Sequence, residues 1–388
     1  MAPQKLPLQR GRSAHGRRRL GGGSTVSGDG HSTVQRQLAS DELSRLAVLA
    51  FHGVIYSVQV QIGASSFNLI VDTGSTDIWV SCYYVAPSRC SRTCPSATEI
   101  ISYGSGDVCV ALNYATVTLG SLQVTDYAVG VAFGENVLPG DKNLLMANTE
   151  GILGLGYRAL ATLTSPVGYL IEKLDSFSVY LTGDSSDGSF LLLNGVDEDL
   201  IAKNNLIAQE IPLKRPAHWT LGLSSFRFGD STTTLSPCLD TRRIAGTCDA
   251  IFDTGTSLLI VPPQVFEQFA STYLVPNGCG TDPRLGEGKV WLCDQNVQLP
   301  TWEFTLANST FILPMEGYIT RDTNQFMVEI QASTSKQDFG QTWVFGDTFL
   351  NHFYTSYEVD KSIIFYCQDG VNCRENSWCH GRERIAGR

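Results

Sequence analysis

The sequence is short of basic residues and histidines and lacks an apolar run near its start, and each shortage excludes a class of protein. Lys and Arg total 28 against 38 Asp and Glu, and residues 1–52 hold eight of these cations, so the remainder has a net charge near −15. Nucleic acid is excluded as the main partner, because binding phosphates needs a concentrated basic surface. An acidic body suits an acidic compartment, where protonation relieves the repulsion between carboxylates.

The N-terminal region lacks the apolar segment that a secretory signal requires. Residues 1–23 are instead rich in Arg and Gly. The apolar residues 43–51 are too few to span a membrane, so we expect them to enter the fold. Residues 1–52 are interpreted as a basic leader, either disordered or removable, and they resemble a transit peptide only weakly.

The eleven cysteines lack a metal-binding pattern, because neither a paired C-x-x-C framework nor convergent histidines accompany them. We therefore expect no metal site, and instead disulfides formed in an oxidising compartment. The candidate local pairs are Cys90 with Cys94, Cys238 with Cys248 and Cys279 with Cys293. Three further cysteines cluster near the C-terminus, and the odd count leaves at least one thiol unpaired or intermolecular.

A repeated Asp-Thr-Gly is the strongest signal present. Residues 69–76 read Leu-Ile-Val-Asp-Thr-Gly-Ser-Thr, and residues 250–257 read Ala-Ile-Phe-Asp-Thr-Gly-Thr-Ser. Each copy predicts a buried strand that ends in a tight turn, which the glycine permits. A single copy would be read as a turn aspartate bonding its own backbone. Two copies in a chain of 388 residues predict a duplicated lobe that brings Asp72 and Asp253 face to face.

Two adjacent carboxylates cannot both ionise cheaply, so such a pair holds one proton over an acidic range of pH. The ionised member then activates a water that attacks a peptide carbonyl, and the protonated member supports the oxyanion and the leaving nitrogen. This chemistry requires no cofactor. The hydroxyl residues three positions after each aspartate would donate to the carboxylates, and the two threonines would brace the loops. The supporting residues are Thr73, Gly74, Ser75, Thr254, Gly255 and Thr256.

Residues 101–106, Ile-Ser-Tyr-Gly-Ser-Gly, predict a hairpin tip that covers the site, although an ordinary surface turn has the same pattern. Tyr103, Gly104 and Ser105 would reach over a substrate, and Trp79 would anchor the tyrosine from behind. The glycine-rich residues 151–156 are only a weak match to a dinucleotide-binding loop, because no βαβ unit surrounds them.

The remaining pattern predicts an all-β fold with few helices. Residues 56–62 alternate apolar and polar, as a half-buried strand does, and short helices are expected at 166–174 and after Pro262. A hairpin near residues 301–313 carries the sequon Asn308-Ser309-Thr310, which suits N-glycosylation in a secreted protein. We place the boundary between the lobes near Gly195.

Residues 56–366 resemble the two-lobed pepsin-like aspartic proteases of the cathepsin D and plasmepsin kind. The matching motifs are Val-Asp-Thr-Gly-Ser at 71–75, Trp79, Tyr-Gly-Ser-Gly at 103–106, Ile-Leu-Gly at 152–154, Phe-Ser-Val-Tyr-Leu at 177–181, Phe-Asp-Thr-Gly-Thr-Ser at 252–257 and Phe-Gly-Asp at 345–347. The resemblance implies a bilobal β-fold with a cleft between its lobes, a monomer, and an acidic optimum. It also implies sensitivity to statine-type inhibitors, a secretory or endolysosomal location, and a zymogen whose basic prosegment covers the cleft.

The sequence departs from this family in three places, and at one of them Asn194-Gly195 stands where the family often has Gly-Gly. Trp79 and Tyr103 are 24 positions apart, fewer than is usual, so the segment leading into the flap is shortened. Tyr357 and Glu358 stand where the family usually has Phe-Asp.

The resulting prediction is an aspartic endopeptidase with a peptidase unit at about 56–367. Its parts are a leader or prosegment at 1–52, an N-terminal lobe at 53–195, a C-terminal lobe at 196–372 and a cysteine-containing tail at 373–388. Acidification is expected to release a fragment that ends near residues 46–53. The alternative is a catalytically silent relative that binds peptides or a protein in the cleft. A Ser-His-Asp hydrolase is excluded, because the sequence lacks a nucleophile elbow and a recognisable triad context for any of its six histidines.

Overall fold

The computed structural model describes residues 44–51, 55–96, 98–104, 106–134, 137, 145, 149–182, 188–229, 235–237, 247–281, 290–334, 341–368 and 372–374. These residues form mostly β-strands with a few short helices, as the sequence predicts. The strands of the first half are β1 (Ser44–Phe51), β2 (Ile55–Ile62), β3 (Ser65–Asp72), β4 (Ile78–Ser81), β5 (Glu99–Tyr103), β6 (Gly106–Leu119), β7 (Leu122–Phe133), β8 (Gly151–Gly154), β9 (Ser176–Tyr180) and β10 (Phe190–Leu193).

The second half contributes the remaining strands and most of the α-helices. The strands are β11 (Ile207–Pro212), β12 (Arg215–Pro216), β13 (Trp219–Phe228), β14 (Cys248–Phe252), β15 (Leu259–Val261), β16 (Gly280–Thr281), β17 (Trp291–Asp294), β18 (Trp302–Leu306), β19 (Ser309–Leu313), β20 (Ile319–Arg321), β21 (Gln325–Val328), β22 (Ile330–Ala332), β23 (Trp343–Phe345), β24 (Tyr354–Glu358), β25 (Ser362–Cys367) and β26 (Asn372–Arg374). The α-helices of the chain are α1 (Cys82–Val85), α2 (Glu198–Lys203), α3 (Pro263–Phe269) and α4 (Asp347–Leu350).

Two large sheets form the two lobes. The first has the order β11-β25-β24-β9-β10-β1-β2-β3-β8-β4-β7-β6-β5, and the second has the order β22-β15-β23-β14-β13-β18-β19-β26 with β12 beside β13. A small sheet, β16-β17-β21-β20, belongs to the second lobe. Strand β24, from the end of the chain, pairs with β9 of the first half, so one sheet joins the lobes.

The same strand arrangement surrounds each Asp-Thr-Gly. In the first lobe β3 runs parallel to β8, which pairs antiparallel with β4. In the second lobe β14 runs parallel to β23, which pairs antiparallel with β15. In each case the first strand ends at an Asp-Thr-Gly, and its parallel partner carries the later apolar-apolar-Gly pattern. The sequence repeat therefore corresponds to a repeat in topology.

Hydrophobic periodicity explains the local structure in most places. Val58, Val60 and Ile62 of β2 are buried while Gln59 and Gln61 are exposed, as the alternation predicts. The inward residues join a core dominated by aromatic side chains in the second lobe, where Phe and Trp rings pack against one another across β13, β18 and β23.

The helix predicted at residues 166–174 is wrong in extent. Only Leu170–Lys173 is helical, as a 3₁₀ turn. Gly168 adopts a left-handed conformation with φ of 80°, which stops a helix from running through it. Leu170, Ile171 and Leu174 are nevertheless buried.

Strand β1 pairs with two neighbouring strands, each along one half of its length. Its first four residues pair with β10, and residues 48–51 pair with β2. The strand lies inside the residues predicted as the leader, so these residues are an integral part of the sheet in this structure. Residues 1–43 lie outside the described part of the chain. Within the described ranges no helix has the length and apolarity that crossing a membrane requires.

Candidate active site

The first Asp-Thr-Gly begins at the last residue of β3. The backbone amide of Gly74 donates to Asp72 Oδ1 at 2.8 Å, and the hydroxyl of Ser75 donates to Asp72 Oδ2. Asp72 is only 5% exposed. Its carboxyl group is therefore held in one orientation by two local donors.

The second Asp-Thr-Gly follows β14 and has the same pattern. The amide of Gly255 donates to Asp253 Oδ1 at 2.8 Å, and the hydroxyl of Thr256 donates to Asp253 Oδ2 at 2.6 Å. Asp253 is more accessible than Asp72, because it is half-buried. Ser75 and Thr256 thus donate to equivalent oxygens of the two aspartates.

The two loops are joined by reciprocal hydrogen bonds of their threonines. Thr73 Oγ1 accepts from the amide of Thr254 at 3.0 Å and donates to the carbonyl of Phe252 at 2.8 Å. Thr254 Oγ1 accepts from the amide of Thr73 at 3.2 Å and donates to the carbonyl of Val71 at 2.7 Å. All of these groups are buried, so the interlock fixes one loop against the other.

The glycines of the two loops make room for the opposite carboxyl groups. A Cβ on Gly74 would lie 2.6 Å from the carboxyl atoms of Asp253, and a Cβ on Gly255 would lie 2.4 Å from Asp72 Oδ1. Because any larger residue would collide there, glycine is required at both positions. The carboxyl groups thus face one another across the junction of the lobes.

This proximity shifts the protonation of the pair. Burial raises the pKa of Asp72 to about 8, and the neighbouring Asp253 carboxylate adds to the rise, whereas the hydrogen bonds from Ser75 and Gly74 act in the opposite direction. Burial and the neighbouring carboxylate therefore favour retention of one proton by the pair. A site of this kind offers one carboxylic acid beside one carboxylate.

A hairpin of β5 and β6 lies over the Asp72 side of the site. Tyr103 ends β5 and pairs with Gly106, and its hydroxyl accepts from Trp79 Nε1 at 2.6 Å. The two rings also pack together, with centroids 6.3 Å apart. Burial raises the pKa of Tyr103 far above its ordinary value, and the charge of Asp72 contributes to the rise. Gly104 follows in the turn, while Ser105 lies outside the described residues, so its predicted role stays a prediction.

Disulfides hold the shortened segment before this hairpin, although not as predicted. Cys90 and Cys94 do not pair with each other, because Cys90 pairs with Cys82 and Cys94 pairs with Cys109 of β6. Sequence spacing suggested the short loop, but β6 returns beside the segment and supplies a partner that is distant in sequence. The second disulfide connects the segment to the hairpin itself.

The other predicted pairs fall in the second lobe. The Cys279–Cys293 disulfide is present and connects β17 to the residue before β16. Cys248 is disulfide-bonded. Its predicted partner Cys238 lies outside the described residues. Among the residues described there is also no cluster of His, Cys, Asp or Glu suited to a metal ion.

One supporting residue was not predicted. Asp77 is buried and accepts from the backbone amides of Thr162 and Leu163 at 2.8 and 3.0 Å. It binds the loop after β8 to the first Asp-Thr-Gly, and burial raises its pKa. The only signal in the sequence was the presence of an acidic residue directly after an active-site turn.

Comparison with known proteins agrees with this geometry. The profile of the eukaryotic aspartyl protease family matches residues 55–368. Gastricsin of Callithrix jacchus is 30% identical over 356 residues, which cover 86% of each chain. Gastricsin of Oryctolagus cuniculus is 31% identical over 331 residues, or 80% of each chain, and pepsin A of Gallus gallus is 28% identical over 75% of this chain and 77% of its own. With the profile spanning most of its length, the chain belongs to the eukaryotic aspartyl protease family.

Proposed function

We propose that this protein is an endopeptidase that hydrolyses polypeptides at acidic pH with Asp72 and Asp253 as its catalytic pair. Membership of the family supports a peptidase that acts on peptide bonds. The observation that carries the finer proposal is the complete set of donors around both carboxyl groups, joined by the threonine interlock. A relative that only binds peptides has no need of this arrangement.

The two carboxyl groups take different roles in the reaction. One carboxyl group of the pair, in its ionised form, accepts a proton from a bound water as the water oxygen forms a bond to the peptide carbonyl carbon. The other carboxyl group, in its protonated form, hydrogen-bonds the oxygen on which negative charge develops. The carbon–nitrogen bond then breaks, and the leaving nitrogen receives a proton from the pair. Hydrolysis is complete without a covalent intermediate or a cofactor.

The hairpin with Tyr103 acts on the substrate rather than on the proton transfer. It covers the Asp72 side of the site, where closure excludes water and orients an extended polypeptide. Trp79 limits the positions that Tyr103 can take, because it donates to the tyrosine hydroxyl. By resemblance we expect bulky apolar residues on either side of the cleaved bond, inhibition by statine-type compounds, and a monomer.

The disulfides support folding in an oxidising environment, such as a secretory or endolysosomal compartment. Asn308 is exposed in the turn between β18 and β19, where a glycosyltransferase can reach it. We therefore propose that Asn308 carries an N-linked glycan.

Maturation is proposed to remove the basic leader, with a boundary earlier than residues 46–53. Cleavage there would cut β1 between its pairings with β10 and β2. The structure thus favours cleavage before Ser44, which leaves the strand in the sheet. Mass spectrometry of the acid-treated active protein should find a mature N-terminus at or before Ser44, and an active form that begins after Phe51 would contradict this.

The proposed activity is tested by digesting an unstructured protein between about pH 3 and 6. Wild type should cleave it, and Asp253→Ala should not. Asp199→Ala, which changes an exposed aspartate of α2, is a matched control and should retain activity. Equal residual activity in wild type and Asp253→Ala would refute the proposal, and a cleft that only binds the protein would favour the silent relative.

A further inference from the structure

The lobe repeat is broken at the residue that precedes β4. Strand β4 pairs with β8 as β15 pairs with β23, and the two registers make Ile78 the counterpart of Leu259. The residues just before them, Asp77 and Leu258, are therefore equivalent. Asp77 is only 3% exposed, so a buried carboxyl group in the first lobe occupies the position that an apolar side chain has in the second.

The carboxyl group of Asp77 does for one loop what helical hydrogen bonds do in the other lobe. After β23 the chain enters α4, where the amide of Leu350 donates to the carbonyl of Gly346 at 2.9 Å. After β8 a 3₁₀ turn ends before the amides of Thr162 and Leu163, which donate to Asp77 at 2.8 and 3.0 Å. One side chain thus fixes the backbone of this loop.

The side chain of Leu163 carries this constraint to Trp79. Both are buried in one apolar cluster, against which Tyr103 also packs. A Cβ on Gly130 of β7 would lie 2.9 Å from Trp79 Cβ and 3.2 Å from Leu163 Cδ1, so both side chains lie against the same glycine. The Tyr169 hydroxyl also donates to the carbonyl of Leu163 at 3.0 Å. In a close-packed interior, a shift of Leu163 must disturb the packing around Trp79.

Trp79 in turn determines where Tyr103 can lie. Its Nε1 atom donates to the tyrosine hydroxyl at 2.6 Å, and the ring centroids are 6.3 Å apart. A contiguous series of contacts therefore leads from Asp77 through Leu163 and Trp79 to the hairpin of β5 and β6. Such a series carries coupling only if a change at one end is felt at the other, which a measurement must establish.

We propose that Asp77 is a positioning residue for the hairpin of β5 and β6, and that it holds Tyr103 over the site by fixing Leu163 against Trp79. The inference rests on the proposed peptidase activity. It deepens that proposal because it names a residue that acts through its neighbours on the grip of the hairpin on substrate, and not on the reacting atoms.

The first test measures KM and kcat for Asp77→Leu and Asp77→Asn on a fluorogenic peptide that wild type cleaves. Asp77→Leu introduces the residue of the second lobe and removes both acceptor oxygens. It should raise KM about tenfold with a smaller effect on kcat, because full displacement of a catalytic group costs more than this. Asp77→Asn keeps one acceptor oxygen and should raise KM less. Glu150→Gln is the matched control, because Glu150 also accepts from a backbone amide, that of Asn68 at 2.8 Å, and it should leave KM near the wild-type value.

A second measurement separates positioning from a loss of stability. Tyr103→Phe removes the hydroxyl that accepts from Trp79, so Asp77→Leu should add little to KM in that background. Additive effects on KM would overturn the inference, and so would variants that lose thermal stability while KM stays at the wild-type value. Asp77→Asn supplies the same comparison if Asp77→Leu does not fold.

If wild type cleaves nothing, the proposed function fails, and the inference is then decided by hydrogen exchange. The amides of β5 and β6 should exchange faster in Asp77→Asn than in wild type, because the hairpin opens locally more often. In Glu150→Gln they should exchange at the wild-type rate. Unchanged exchange of the hairpin in Asp77→Asn would overturn the inference independently of activity.

Discussion

The two Asp-Thr-Gly loops have the same internal hydrogen bonds but different surroundings. Each aspartate accepts from the amide two residues ahead and the hydroxyl three residues ahead. Asp72, however, is almost fully buried, beside a hairpin whose Tyr103 is hydrogen-bonded to Trp79, whereas Asp253 is half-buried. The repeat thus determines the geometry of the two loops, while residues outside the repeat make the exposure of the two carboxyl groups different.

The strongest way to break the symmetry of the loops is to fill the space between them. Gly74→Ala and Gly255→Ala each place a Cβ within 2.6 Å of the opposite carboxyl group, so the loops must separate. Both substitutions should lower kcat/KM by about 100-fold or more, because displacement of catalytic groups by an ångström has effects of this size. Gly280→Ala meets no atom within 4 Å and is the matched control. Activity near wild type in either loop variant would show that the contact is not needed.

The interlock can be removed from either lobe with equal expected effect. Thr73→Val and Thr254→Val each lose a buried hydroxyl that donates one hydrogen bond and accepts another, so each should destabilise the protein by about 2–4 kcal/mol. Because the bonds are reciprocal, the double variant should lose less than the sum of the two. Chemical denaturation measures these differences, with the exposed Thr125→Val as control. Additive losses would mean that the threonines act separately.

The raised pKa of Asp72 should be visible in the pH dependence of stability. Folding raises the pKa of Asp72 from 3.8 to about 8, so the folded protein binds more protons here than the unfolded chain between these values. The stability contributed by this carboxyl group is therefore complete below about pH 4 and is lost as the pH rises towards 8. Asp72→Asn should match wild type near pH 3 and unfold several degrees higher than wild type near pH 8, since each pKa unit is about 1.4 kcal/mol. The exposed control Asp199→Asn should show no such trend, and a constant difference for Asp72→Asn would contradict the assignment.

The smallest expected effect concerns two buried tyrosines, one in each half of the chain. The Tyr357 hydroxyl has no hydrogen-bond partner among the described residues, while its ring stacks on Phe177 with centroids 4.7 Å apart. Tyr357→Phe should therefore stabilise the protein by about 1 kcal/mol. Tyr56 instead donates to the carbonyl of Thr182 at 2.9 Å, so Tyr56→Phe should destabilise it by a similar amount. Equal effects of the two changes on the midpoint of denaturation would contradict this account.

Sequence alone predicted the parts of the site that depend on local pattern. Asp-Thr-Gly at the end of an apolar run predicts a strand, a tight turn and a carboxyl group at the end of the strand, and the second copy predicts the partner. Alternation in β2 predicted which residues are buried. The helix predicted at residues 166–174 failed because one left-handed glycine, Gly168, outweighs the periodicity around it.

Other features could not be predicted because they depend on which strands return to which neighbours. The partner of Cys94 is Cys109, and its position beside the loop follows from the path of β6. Likewise Asp77 accepts from the amides of Thr162 and Leu163 only because the chain after β8 returns beside the first Asp-Thr-Gly. Local composition holds no information about either.

The central claim is that Asp72 and Asp253 act as one unit with a shared proton. It is tested most directly by measuring kcat for Asp72→Asn, Asp253→Asn and the double variant on one peptide at the pH of maximal wild-type activity. Residues that act as a unit are strongly non-additive, so all three variants should fall to the same residual rate. A double variant that is slower than either single variant by the product of their effects would contradict the claim.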